Sequence, residues 1–252
     1  MTTSPGATEI YLYDDADAVA DALATRLLSR LAEIQRDRVP QVALTGGRIA
    51  TKAYAQLAAK GAASAVDWSM VELWWGDERF VAADDDDRND KATLETLSAA
   101  LPLDEDRIHQ MPASDGELDL DAAAAAYADE LGDTTFDICL LGMGPDGHVA
   151  SVFPGHPSAH ATGQVIAVRN SPKPPPDRIS LTLELIDEST EVWFVVSGAD
   201  KADAARKALT ASGSEPVPAA EAYGTDLTVW LLDADAASEL PEDVRATART
   251  QP

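Results

Sequence analysis

The sequence predicts an α/β fold: a layered, mostly parallel sheet with helices on both faces, plus a small additional group of β-strands. Three observations carry this. Short β-like runs alternate with helix-patterned segments along most of the chain. Three of those runs, "QVALT" (41–45), "FDICLL" (136–141) and "EVWFVV" (191–196), are continuously apolar, as parallel strands are when helices cover both faces. The stretch from 164 to 183 carries less helical pattern and supplies the extra strands.

Taken in order, "EIYLY" (9–13) is a short β-run, and Asp14 and Asp15 behind it can cap a helix. In that helix Val19, Leu23, Leu27 and Leu31 recur every four residues and form one apolar face. "QVALT" ends in Gly46-Gly47 and leads into a second helix through Tyr54 and Leu57. "MVELWW" (70–75) is a third strand, ending at the polar turn "GDERF". A helix over roughly 89–100 follows, then "RIHQM" as a short strand and an alanine-rich helix over 121–131. Beyond "FDICLLG" (136–142) come "QVIAVR", "RISLTL", "EVWFVVSG", the helix "ADKADAARKAL", "LTVWLL" and a C-terminal helix. The one long linker-like segment is "SGSEPVPAAEAYG" (212–224), no repeat is visible, and the chain reads as a single domain over 1–252.

The 252 residues are 45% hydrophobic and 25% charged, the balance of an ordinary globular protein with a full-sized core. With 44 acidic against 19 basic residues, the formal charge of −25 opposes nucleic acid and anionic membranes, whose affinity depends on Lys and Arg. Neither is expected as a partner. The acidic run "ADDDDRND" (83–90) reads as a solvated loop that starts a helix with acidic residues. The single Cys139 lies in an apolar run and reads as a core residue. The opening residues show no basic and apolar leader pattern, and no apolar run reaches the ~18 residues of a membrane span. A cytoplasmic protein is expected.

In open α/β sheets ligands bind beyond the carboxyl ends of the strands. Three apolar strands end there in polar, glycine-bearing turns: "LTGGR", "WWGDER" and "GMGPDGH". "LTGGRIATKAY" is either a plain strand-to-helix turn or a cradle whose glycines and helix N-terminus face an anion. In "GDER", Arg79 either grips a phosphate or pairs with Asp77 or Glu78. "GMGPDGH" is either a sharp turn with an incidental histidine or a catalytic loop in which His148 is a base with the Asp146 carboxylate beside it. His109, His156 and His160 have no comparable setting and read as surface or loop residues. "SPKPPPDRISL" (171–181) adds a stiff segment that holds Lys173, with Arg178 at the start of the next strand. "G-x-S-x-G" is absent, and Ser151 has no separate base, which argues against a serine nucleophile.

Together "GMGPDGHVASVFPG", "WWGDERFV", "LTGG" and "KPPPDRISLTLELI" resemble the 6-phosphogluconolactonase family, of the glucosamine/galactosamine-6-phosphate isomerase-like group. The resemblance runs from about residue 9 to residue 232, with the four motifs in the family's order. It implies the sugar-phosphate isomerase/deaminase fold and hydrolysis of 6-phospho-D-glucono-1,5-lactone without a metal or organic cofactor. It also implies that His148 is the base with Asp146 beside it, and that Arg79 and Lys173 bind phosphate. Gly46 and Gly47 offer N–H groups to the oxyanion or to the phosphate, with Arg48 and Arg178 as further cations for the substrate. The family often continues its glycine pair with small residues and Thr-Pro, where this chain has "GGRIATKAY". Two other functions fit the fold. An amino-sugar-phosphate isomerase/deaminase needs a carboxylate base, for which Asp77 or Glu78 would serve. A non-catalytic sugar-phosphate sensor needs only the phosphate clamp, which leaves the Asp146–His148 pair without a purpose.

Overall fold

The computed structural model describes residues 4–210 and 216–250. Its elements are β1 (Ala7–Tyr13), α1 (Ala16–Ile34), β2 (Gln41–Leu44), α2 (Arg48–Gly61), β3 (Glu72–Trp75), β4 (Asp77–Arg79), α3 (Asn89–Leu97), α4 (Leu120–Leu131) and β5 (Ile138–Leu141). They continue as β6 (Val165–Val168), β7 (Arg178–Leu181), α5 (Leu183–Ile186), β8 (Glu191–Val196), α6 (Ala202–Thr210), α7 (Pro218–Glu221), β9 (Leu227–Asp233), α8 (Glu242–Thr247) and β10 (Arg249–Thr250).

Seven strands form a parallel sheet in the order β10-β1-β9-β8-β5-β2-β3. Its side chains alternate between two cores. Val42, Leu44, Ile138, Leu140, Trp193 and Val195 face α1, α2 and α3, whereas Ala43, Cys139, Leu141, Val192, Phe194 and Val196 face α4 to α8. That is why the central strands read as unbroken apolar runs: each face meets a separate helical layer. Asp15 caps α1 by accepting from the Ala18 N–H at 2.9 Å, and Val19, Leu23, Leu27 and Leu31 are all buried.

A second, antiparallel sheet of order β4-β7-β6 stands beside the first, joined to it where Leu181 N–H donates to the Gly76 carbonyl at 2.9 Å. Helix α4 packs on its β6 and β7 strands. The extra β-group is therefore present, but it draws one strand from outside 164–183. "GDER", which reads as a turn, contributes Asp77–Arg79 as β4, paired with Arg178–Ser180. The "RIHQM" segment is not a strand. It makes one bridge, Leu73↔Ile108, and His109 N–H donates to the Leu73 carbonyl before the chain leaves the sheet edge. Within the linker-like stretch 212–224, residues 212–215 lie outside the described residues and α7 occupies part of the remainder.

After β2 the chain moves outward to β3, then returns past β2 to lay down β5 on its other side. This reversal opens a crevice at the carboxyl ends of β2 and β5, the place where such sheets bind ligands. The two strand ends nearly touch: Gly142 N–H donates to Thr45 Oγ1 at 3.2 Å.

Candidate active site

A cleft of about 550 Å³ occupies that crevice, lined by the turns after β2, β5 and β8, by β4 and by the proline loop before β7. Six cations face it (Arg48, Lys52, Arg79, Lys173, Arg178 and Lys201) against one carboxylate, Asp77. In a chain of charge −25 this is a local reversal of sign, which draws an anion into the cleft.

The turn after β5 is folded around its glycines. Gly144 N–H donates to the His148 carbonyl at 2.9 Å and Gly147 N–H to the Gly144 carbonyl at 3.0 Å. Gly147 adopts φ +82°, and a Cβ there would stand 2.6 Å from Val217 Cβ. A Cβ on Gly144 would fall 2.0 Å from His148 Cε1, so only glycine lets the imidazole lie against the backbone. His148 Nδ1 is 2.5 Å from Asp146 Oδ1, and its ring packs at 4.6 Å on the buried Phe153. Nε2 has no hydrogen bond among the described residues and belongs to the side chain that lines the cleft. Burial pushes the Asp146 carboxyl up, but the His148 hydrogen bond and the His148 and Lys173 charges outweigh it and hold the group at about 2.

The turn after β2 leads into an uncapped helix N-terminus. Gly47 caps α2 with φ +98° and no side-chain bond, so the first N–H groups of this 14-residue helix point outward unpartnered by a cap. Arg48 is exposed at the first helical position. Gly46 lies so close to Asn89 that a Cβ would stand 1.8 Å from Asn89 Oδ1. That Oδ1 accepts from Arg79 Nη1 at 2.8 Å, and Asn89 Nδ2 donates to the Asp77 carbonyl at 3.0 Å. Arg79 therefore pairs with neither Asp77 nor Glu78. Its guanidinium is held by Asn89 and the Asp87 carbonyl, beside the α2 N-terminus.

Glu78 points away from the cleft and caps α3. Its Oε1 accepts from the N–H groups of Arg79 and Asn89 and its Oε2 from Asp90 N–H, each at 2.8 Å. Burial and the Asp90 charge push Glu78 up to about 7, against the pull of those backbone donors. Asp77 is buried, and its Oδ2 accepts from Ser151 Oγ at 2.7 Å and stands 3.9 Å from Arg178 Nη1. Ser151 is thus a buried tie between the β5 loop and β4.

The proline loop is held by Arg178, whose Nη2 donates to the carbonyls of Lys173 (3.1 Å) and Pro174 (3.2 Å) and whose Nε donates to that of Pro175 (3.2 Å). Lys173 projects from this frame to within 3.4 Å of His148 Nδ1. All eight residues expected from the sequence are near this crevice, in two clusters. Gly46, Gly47, Arg48 and Arg79 surround the helix N-terminus, while Asp146, His148 and Lys173 form a second cluster and Arg178 braces the loop that carries Lys173.

Sequence reasoning passed over Asn89 and Lys201. Asn89 was hidden in the acidic run, although its place at the start of the helix after "GDER" is a signal. Lys201 lies in the turn beyond β8, which Gly198 starts with φ +102°, so the strand-end rule applied to "SGADK" as well. The acidic run itself divides: Asp84, Asp86 and Asp87 are exposed, but Arg88 and Asp90 form a buried ion pair. His109 is a half-buried loop residue with fixed partners. It stacks on Trp74 at 3.7 Å with Glu72 and Glu130 on its two nitrogens. Cys139 is fully buried, and burial pushes its thiol up to about 12. Among the described residues no group of three or more His, Cys, Asp or Glu is placed to hold a metal ion, and no helix is long and apolar enough to cross a membrane.

The profile of the family described as glucosamine-6-phosphate isomerases/6-phosphogluconolactonase matches residues 14–230. The chain belongs to this family. It is 45% identical to a 6-phosphogluconolactonase of Streptomyces coelicolor, over 94% of this chain and 96% of that one. A 6-phosphogluconolactonase of Mycobacterium tuberculosis is 43% identical over 93% of this chain and 99% of its own. Among solved structures, the 6-phosphogluconolactonase of Thermotoga maritima superposes with a TM-score of 0.80 at 27% identity, covering 90% of this chain and all of that one. A monomeric glucosamine-6-phosphate deaminase shares the fold, with a TM-score of 0.77 at 22% identity, 92% of this chain and 99% of that one being covered.

Proposed function

We propose that this chain hydrolyses 6-phospho-D-glucono-1,5-lactone to 6-phosphogluconate, the lactone step of the oxidative pentose phosphate pathway, with His148 as general base on water. The observation that carries the assignment of roles is the Asp146–His148 pair set into a cation-lined cleft, beside a helix N-terminus that carries no side-chain cap. A lactone is an activated ester. Its hydrolysis needs a deprotonated water, a donor for the carbonyl oxygen and a proton for the departing ring oxygen. Asp146 accepts from Nδ1–H and so leaves the lone pair on Nε2, the nitrogen with no hydrogen bond among the described residues. Nε2 takes the proton from water as its oxygen attacks C1, then returns it to the ring oxygen as the C1–O bond breaks. The phosphate fits the other end, where Arg48, Arg79 and the open N–H groups of α2 supply charge and donors, with Gly46 and Gly47 letting the backbone approach.

The engagement of its candidate carboxylates counts against the isomerase/deaminase reading. Asp77 is engaged by Ser151 and faces Arg178, and both Glu78 oxygens serve backbone N–H groups. A sensor has no use for the Asp146–His148 pair. The single-domain reading over 1–252 draws support from the two cores sharing one sheet. The reading includes no nucleic acid or membrane partner, and places the enzyme in the cytoplasm.

A coupled assay on freshly made lactone, with spontaneous hydrolysis subtracted, tests the activity. Arg79→Ala tests the phosphate end within it. KM for the phosphorylated lactone should rise at least tenfold, ~1.4 kcal/mol of binding, and activity on unphosphorylated gluconolactone should change far less. Equal losses on both lactones would remove Arg79 from the phosphate.

A further inference from the structure

Lys173, which the family resemblance assigns to phosphate, lines the cleft and also stands against the Asp146–His148 pair. Its Nζ lies 3.4 Å from His148 Nδ1 and 3.8 Å from Asp146 Oδ1, the same oxygen that the imidazole uses. The loop that carries it is built for placement. Arg178 gathers three consecutive carbonyls of the segment, Lys173 N–H donates to Ser171 Oγ at 3.3 Å, and Ser171 N–H donates to the Pro176 carbonyl at 2.9 Å.

An imidazole on a carboxylate has a problem as a base. The anion favours the protonated ring, and an imidazolium accepts nothing from water. A second cation on the same carboxylate relieves this, because it offsets the anion and repels the charge that protonation would create. We propose that Lys173 is a positioning residue for the base: its ammonium shares the Asp146 carboxylate with His148 and keeps the imidazole neutral, and so competent, at lower pH. This rests on the proposed role of His148 as the base.

The other charged groups around the ring do not replace it. Arg178 is 5.9 Å from the centre of Phe153, on whose ring His148 also packs, and it is committed to the loop carbonyls. His156 approaches Phe153 at 6.1 Å with both ring nitrogens bonded, to Ser158 and the Arg169 carbonyl. Asp77 and Arg79 on β4, with Lys201 beyond β8, line the cleft without an ion pair to Asp146. Burial lowers the proton affinity of the Lys173 amine, Asp146 and Asp200 oppose this, and Lys201 and Arg178 add to it. Lys201 and Arg178 are thus close enough to act on the Lys173 ammonium.

The test is the pH dependence of kcat/KM for the wild type, Lys173→Met, Lys173→Arg and Asp146→Asn at low ionic strength, on both the phosphorylated and the unphosphorylated lactone. A charge at this distance moves a titration by about one unit, less when partly exposed. Lys173→Met should move the acid limb up by ~0.5–1 unit on both substrates, and Lys173→Arg should restore it. Asp146→Asn should move the limb the opposite way. NMR titration of the His148 ring, identified among four histidines by His148→Gln, gives the same shift without turnover. An unmoved ring titration in Lys173→Met, with only KM for the phosphorylated lactone raised, would overturn the proposal and leave Lys173 a phosphate ligand. A moved ring titration with an unmoved kinetic limb would instead refute His148 as the base.

Discussion

His148→Ala is expected to lower kcat by about 10²–10⁴-fold, the contribution of a positioned general base, with the fold and the binding of 6-phosphogluconate retained. Both halves of that expectation come from the geometry. The side chain is bonded to Asp146, lies against Phe153 and has Lys173 beside it, but it lies at the edge of the cleft and anchors no element of the sheet. The β5 loop keeps its own frame through the Gly144 and Gly147 N–H bonds, both of which end on carbonyl groups and survive the truncation. The rate must be read after subtraction of spontaneous and buffer-catalysed hydrolysis, because an activated ester turns over without enzyme. In the wild type kcat/KM should climb along one ionisation as the imidazole loses its proton, and that limb should be absent from the residual rate of the variant. A loss below tenfold, or a residual rate with the same limb, would remove His148 from the chemistry.

How much of this was legible in the chain differs by element, for physical reasons. Continuous apolar runs identified β2, β5 and β8, because a strand covered on both faces leaves no polar alternation to misread. The four-residue spacing of Val19, Leu23, Leu27 and Leu31 identified α1 for the same kind of reason: one face packs and the rest is solvated. Strand β4 was illegible. Its three residues, Asp77, Glu78 and Arg79, are all charged, and what makes them a strand is pairing with Arg178–Ser180 about a hundred residues away. Polarity there records the cleft and the α3 cap, not exposure. "RIHQM" failed in the opposite sense, since its local preference is extended but the sheet edge receives it through one bridge only. At the site, the strand-end glycines marked three turns and the same rule, carried to β8, would have found Lys201. No local pattern reveals that Asn89 joins Gly46 to Arg79, or that Lys173 reaches the Asp146 carboxylate, because each contact closes between segments distant in sequence.

Gly144→Ala is expected to lower kcat by about 100-fold while melting within a few degrees of the wild type. The backbone at Gly144 is not in the left-handed region, so alanine suits its conformation, and the only obstacle is space. The new Cβ would stand 2.0 Å from both Cε1 and Nδ1 of His148 and 2.4 Å from Asp146 Oδ1. These three atoms are the ends of side chains that can rotate, whereas the backbone of the loop is tied at Gly147 and His148. The pair therefore yields and the fold does not. Relief to ordinary contact needs a displacement of the imidazole by ~1 Å or more, and misplacement on that scale costs on the order of 10²-fold when a reaction depends on near-attack geometry. KM for the phosphorylated lactone should change little, since the Arg79 and α2 end of the cleft is untouched. Kinetics set beside a thermal melt decide the matter. A variant that melts normally yet keeps more than a tenth of the wild-type kcat would show that the Asp146–His148 arrangement is not what sets the rate. One that loses activity and stability together would mean that Gly144 serves the packing of the loop and not the placement of the base.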